Sequence, residues 1–147
     1  MGSAAAHYIE VAAPAQACYD WWRSLTRLPE IFSDVKDVKA VDETGKRTQW
    51  RVSAPLGGTV EWLAEIVEDE PPHKIAWATV ADSDPDVRNA GVVRFDDKGD
   101  GTTGVEVSIV YDPPAGVLGD AVAILLADPQ DKVVKACEEF KRVMETR

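Results

Sequence analysis

From residue 35 to residue 111 polar and apolar positions alternate, most clearly in the runs that carry Trp50, Trp62 and Trp77. In Gln49-Trp50-Arg51-Val52-Ser53-Ala54 the even positions are apolar and the odd ones polar. In Val60-Glu61-Trp62-Leu63-Ala64-Glu65-Ile66, Val60, Trp62, Ala64 and Ile66 share one side, with Glu61 and Glu65 opposite. Successive strand side chains point to opposite faces, so each indole joins the apolar face of its strand. The period predicts strands near 35–42, 47–55, 59–69, 74–81, 90–97 and 103–111. The joints between them are rich in turn residues, as in Glu43-Thr44-Gly45-Lys46, Pro71-Pro72-His73 and Asp97-Lys98-Gly99-Asp100-Gly101. Joints this short make successive strands antiparallel neighbours, giving a meander.

The flanks follow a different period. His7 to Val11 alternates into a first strand, and Ala12-Ala13-Pro14-Ala15 ends it. Pro14 or the residue after it then starts a helix with Cys18, Trp21, Trp22 and Leu25 on one stripe. Pro29 opens a second short helix with Ile31 and Phe32 as its apolar contacts. After Pro113-Pro114 the chain turns helical from Val117, and Asp128-Pro129 supplies an N-cap followed by proline. The last helix carries Val133, Val134, Cys137, Phe140, Val143 and Met144 on one stripe, with Lys135, Glu139 and Lys141 outward. Both helical stripes need a partner and the sheet needs a cover. The expected architecture is α+β: a helix-grip fold, with a curved antiparallel sheet of about seven strands wrapped around a long C-terminal helix. Residues 1–147 form one domain of ordinary size on this reading.

Composition removes several function classes. Hydrophobic residues make up 45% of the chain and charged residues 29%, the balance of a folded globular protein. No apolar run approaches the ~20 residues of a membrane span, so stable membrane insertion is not expected. The first residues lack a basic region and a long apolar core, and a cytoplasmic location is the expectation. A formal net charge of -10 disfavours nucleic acid and anionic membranes as partners. Cys18 and Cys137 match no metal or redox spacing and read as buried, reduced thiols. The sequence carries no signal for oligomeric state.

Several segments together resemble a known family. They are Ala13-Pro14-Ala15 before Trp21-Trp22, then Leu28-Pro29-Glu30-Ile31-Phe32 and Val35-Lys36-Asp37-Val38. Glu68-Asp69-Glu70-Pro71-Pro72-His73-Lys74-Ile75-Ala76-Trp77 and Gly91-Val92-Val93-Arg94-Phe95 follow. Val107-Ser108-Ile109-Val110-Tyr111-Asp112-Pro113-Pro114 and Glu139-Phe140-Lys141 complete the set. In this order the chain resembles the polyketide cyclase/dehydrase and coenzyme Q-binding family of the START/Bet v 1-like (SRPBCC) superfamily. That resemblance implies an elongated cavity between sheet and helix for a lipid, quinone or polyketide-like molecule. It does not choose between enzyme and carrier.

The residues expected to face such a ligand are Trp50, Val52, Trp62, Ala64, Trp77 and Thr79 on the earlier strands. On the later strands they are Gly91, Val93, Phe95, Val107, Ile109 and Tyr111, with Leu118, Val122 and Leu125 facing them from the helical segment. A mostly apolar lining with a few orienting polar groups is the form of a ligand site. The alternative is a solid core in which these side chains fill the space themselves. Ala64 and Gly91 are small and leave room near the middle of the sheet. His7, Thr79 and Tyr111 are the inward polar candidates, whereas Arg51 and Arg94 fall on the outward side. No acid and base can be paired, so catalytic residues stay unassigned. Asp82-Ser83-Asp84-Pro85-Asp86 begins like a calcium loop but lacks its glycine and terminal glutamate. No zinc spacing, phosphate loop or nucleophile elbow occurs, and neither a metal nor a cofactor is expected. Three functions remain open: hydrophobic ligand carrier, polyketide cyclase or dehydratase, and a protein-interaction module with an exposed apolar strip.

Overall fold

The computed structural model describes residues 3–53, 58–80, 88–112 and 129–146. Its elements, in chain order, are β1 (Ser3–Val11), α1 (Ala15–Arg23), a single 3₁₀ turn (Leu28–Glu30), β2 (Val35–Ala40) and β3 (Arg47–Ser53). Then come β4 (Thr59–Glu70), β5 (Lys74–Thr79), β6 (Arg88–Asp97), β7 (Thr103–Asp112) and α2 (Pro129–Glu145). The alternation of buried and exposed residues runs through β3 and through β4 as far as Ile66; beyond it a register shift against β5 leaves Val67 to Glu70 all exposed.

All seven strands form one antiparallel sheet in the order β1-β7-β6-β5-β4-β3-β2. The meander from β2 to β7 is the expected one, and β1 pairs with β7 along its whole length, from Ser3 opposite Tyr111 to Val11 opposite Thr103. β1 therefore begins earlier than the alternation starting at His7 indicates. Ser3-Ala4-Ala5-Ala6 has no contrast of large and small side chains to reveal the pleat, yet its backbone completes the ladder. The second short helix is no more than the 3₁₀ turn. It starts after Leu25, which adopts a left-handed backbone (φ 63°) and is almost wholly buried. Burial of that side chain offsets a conformation that a branched residue otherwise avoids.

Val133, Ala136, Cys137, Phe140 and Met144 form the buried stripe of α2, at the spacing of a helix face. Its polar side chains grip the exposed edge of β1. The Gln130 side-chain amide donates to the Ala6 carbonyl (2.7 Å) and accepts from the Ala6 N–H (3.2 Å). Lys141 Nζ donates to the Glu10 carbonyl (2.8 Å), and the Ala12 N–H donates to Glu145 Oε2 (2.8 Å). An open strand edge is a row of unpaired backbone groups, and here the helix occupies it.

At the opposite end α1 is tied to the sheet. Tyr19 donates its hydroxyl to Asp69 Oδ1 (2.5 Å), and Arg23 Nε donates to Asp69 Oδ2 (2.8 Å). The buried Thr103 hydroxyl donates to the Ala13 carbonyl (2.7 Å) and fixes the approach to α1. Large apolar residues left exposed among the described residues are Tyr8, Val41, Val67 and Val110, spread over separate segments. No helix among the described residues is long and apolar enough to cross a membrane.

Burial, reinforced by the hydrogen bond to Asp69 and its negative charge, pushes the Tyr19 hydroxyl up from 10.0 to about 12, against the lowering effect of Arg23. A proton held more tightly in the folded state stabilises the fold fully below the unfolded value of 10.0 and is lost as pH rises towards about 12. Stability should therefore fall between these two values in alkaline urea titrations. Tyr19→Phe should remove this component of the fall, and an unchanged alkaline profile would contradict the assignment.

Candidate functional site

Tryptophan geometry determines where space remains in the interior. Trp50 of β3 lies opposite Trp62 of β4, and their rings stack at 5.7 Å with 24° between planes. Trp77 of β5 lies opposite Ile66 of β4. β4 separates β3 from β5, yet the rings of Trp50 and Trp77 approach to 6.1 Å at 27°. On β4 the residue midway between Trp62 and Ile66 on the same face is the fully buried Ala64, and its small side chain lets the two indoles meet across the strand. Trp77 then stacks on Trp22 of α1 (6.2 Å, 21°), and Trp22 meets Phe140 of α2 edge-on (5.8 Å). Trp21 joins the same end, 5.1 Å from Phe140. One continuous row of rings thus runs from the sheet through α1 to α2.

The room expected beside Ala64 and Gly91 is consequently taken. A Cβ added to Gly91 would stand 2.2 Å from Cζ2 of Trp77, so the indole lies directly on the glycine backbone. The two small residues accommodate rings of this protein rather than a guest. Trp50 is oriented by its own hydrogen bond, Nε1 donating to the buried Thr48 hydroxyl at 2.8 Å. Nε1 of Trp21, Trp22 and Trp62 is buried with no hydrogen-bond partner among the described residues.

A cavity of about 200 Å³ remains to one side of the row. Trp50, Val52, Trp62, Trp77 and Ile109 wall it from the sheet. Leu28, Ile31, Phe32 and Val35 close a second side from the 3₁₀ turn and the start of β2, and Val133 contributes from α2. Ser33, Asp34, Asn89, Asp131, Lys132 and Lys135 supply the polar part of the wall. Lys132 Nζ is ion-paired with Asp34 Oδ2, joining α2 to the segment before β2; the two side chains are 34% and 36% exposed. Lys135 pairs with Asp131 one helical turn away (3.1 Å).

Other expected positions fall elsewhere. Ala64, Val93, Phe95 and Val107 are buried in the core beside the indole row and do not line the cavity. Phe95, for example, packs edge-on against Tyr19 (6.2 Å). Thr79 and His7 are half-buried and also away from it. Arg51 and Arg94 face outward, within 3.9 Å of Asp37 and 3.5 Å of Glu106 respectively. Leu118, Val122, Leu125, the side chain of Tyr111 and the Asp82–Asp86 run lie outside the described residues. The sequence reading missed the whole wall from Leu28 to Val35 and the polar face of α2. Ile31 and Phe32 beside Pro29 were the available signal, whereas Asp34 and Lys132 are far apart in the chain and share no local pattern.

Both cysteines are buried and neither is in a disulfide. Burial, with the nearby Glu138 charge, pushes the Cys137 thiol up to about 12, which makes it a poor nucleophile. No cluster of metal-ligating side chains occurs among the described residues.

A curled antiparallel sheet gripping a terminal helix, with a cavity between them, is the helix-grip fold seen in START and Bet v 1-like proteins. More narrowly, residues 11–138 match the family described as polyketide cyclase / dehydrase and lipid transport, and the chain belongs to that family. It is 28% identical over 141 residues to a 17.2 kDa protein of Streptomyces lincolnensis, covering 95% of this chain and 87% of that one. A crystal structure from Deinococcus radiodurans is similar over 98% of both chains, with 29% identity and a TM-score of 0.76. The Zhui aromatase/cyclase of Streptomyces sp. R1128 superposes with a TM-score of 0.80 over 100% of this chain and 96% of its own. At 19% identity that last likeness concerns the fold.

The contact between Trp77 and Gly91 gives a direct test of this packing. Gly91→Ala should destabilise the protein by about 1–3 kcal/mol in urea unfolding, as overpacking does, and should shift the tryptophan emission of the folded state. Unchanged stability and emission would show that the indole does not rest on that backbone.

Proposed function

We propose that this protein binds a hydrophobic small molecule in the space between the sheet and α2, as a carrier or sequestering protein. The observation that carries this reading is the cavity of about 200 Å³ walled by Trp50, Trp62 and Trp77 and edged by charged groups. An apolar concavity with a few polar groups at one side is the usual form of a small-molecule site. Membership of a family that includes lipid transport agrees with it. Equilibrium titration with quinones, fatty acids and aromatic polyketides tests the idea, with tryptophan emission as readout because three indoles meet the guest. Saturable quenching by at least one class is the expected result; its absence for all of them overturns the reading.

A second reading, a cyclase or dehydratase acting on a polyketide-like chain, rests on Asp34 and Lys132 standing in the cavity wall as a carboxylate and an ammonium. Such a pair offers a proton acceptor and donor beside a bound carbonyl chain. The fold of an aromatase/cyclase also superposes on this one. Incubation with a poly-β-ketone thioester, followed by mass spectrometry, should then give a product lighter by the mass of water. Lys132→Met and Asp34→Asn should each abolish the product while leaving quenching by the substrate intact. No product from the unaltered protein excludes this second reading.

A further inference from the structure

The dimensions and charge of the cavity narrow the guest further; this step rests on the binding reading above. An engineered protein cavity of about 150 Å³ lined by aliphatic and aromatic side chains holds benzene, whereas sites for drug-sized ligands begin near about 300 Å³. At about 200 Å³ the present cavity lies between these. One ring or two fused rings match such a volume, whereas three fused rings or a long acyl chain extend past its open side and leave apolar surface in water. The shape of the wall points the same way. Trp50 is stacked between Trp62 and Trp77, 24° and 27° from parallel, so its faces are covered and the row turns ring edges to the cavity; an aromatic guest offers those edges a face to pack against.

Charge decides the polar end. Among the described residues the cavity wall carries Asp34 and Asp131 against Lys132 and Lys135, so the formal charges cancel, and both ammonium groups sit on carboxylates. A guest with net charge therefore finds each counter-ion already engaged, while it gives up its own hydration on entering a mostly apolar space. An anion would also meet the -10 charge of the chain. A neutral hydroxyl or carbonyl, by contrast, hydrogen-bonds to the edge of an intact pair. We infer that the cavity takes a neutral planar aromatic of one or two rings with a hydroxyl or carbonyl on its edge. The rings lie against Trp50, Trp62 and Trp77, and the oxygen faces the Lys132–Asp34 pair.

Isothermal titration of the full chain with phenol, 2-naphthol, 2-hydroxyanthracene, 2-naphthoate, 2-naphthylmethylammonium and palmitate tests each element. 2-Naphthol should bind about tenfold or more tightly than the three-ring compound, palmitate and both charged naphthalenes. Equal or tighter binding by any of these four overturns the inference while leaving the binding reading in place. Binding by none of the series overturns this inference, and a negative quinone, fatty-acid and polyketide panel beside it overturns the binding reading as well. Ile109→Ala, which enlarges the cavity from a half-buried wall position, should raise the affinity for 2-hydroxyanthracene relative to 2-naphthol by about tenfold. An unchanged ratio in this variant places the guest elsewhere and overturns the assignment.

Discussion

Contact between aromatic rings is the interaction on which the rest of this structure depends. Trp62, Trp50, Trp77 and Trp22 form one stacked row, and Phe140 and Trp21 connect its end to the terminal helix. Each ring buries a large apolar area, and paired rings add about 0.5–1.5 kcal/mol beyond that. Because the row passes from sheet to α1 to α2, it fixes three elements relative to one another. It also decides the size of the interior. Trp77 occupies the space over Gly91, and the cavity lies beside the 3₁₀ turn.

That outcome shows what was legible in the sequence. Alternation around Trp50, Trp62 and Trp77 identified the strands, their order and the face each indole takes, because a period of two reports side-chain direction without any tertiary information. Proline positions and helical stripes located α1 and α2 equally well. Side-chain direction does not report how far a ring reaches across its neighbours. Ala64 and Gly91 read as empty places for that reason, although Trp77 lies on Gly91 and meets Trp50 across the strand that carries Ala64. The charged wall was illegible for a different reason: Asp34 and Lys132 sit on surface-like stretches of chain and become neighbours only once the helix lies across the sheet.

The site combines two kinds of constraint. Its floor is rigid, since Trp50 is held by Thr48 and stacked on both sides. Its polar side is made of exposed or half-exposed ion pairs, which in solvent contribute little to stability. Shape selection therefore belongs to the indoles, and orientation to the charged residues. Of the cavity's indoles, Trp62 keeps a buried N–H with no partner among the described residues, the kind of local expense that proteins tolerate near functional sites.

The grip of α2 on β1 has a consequence for which wall of the interior is anchored. Gln130, Lys141 and Glu145 satisfy backbone groups of the edge strand at Ala6, Glu10 and Ala12. Lifting the helix would break all of these contacts and bare a strand edge able to pair with other chains. Among the described residues the segment around Asp34 is tied to the same helix by one half-exposed ion pair, a much weaker polar tie. The helix is therefore the wall anchored to the sheet's edge, and the loop that precedes β2 is held chiefly by the packing of Leu28 and Ile31.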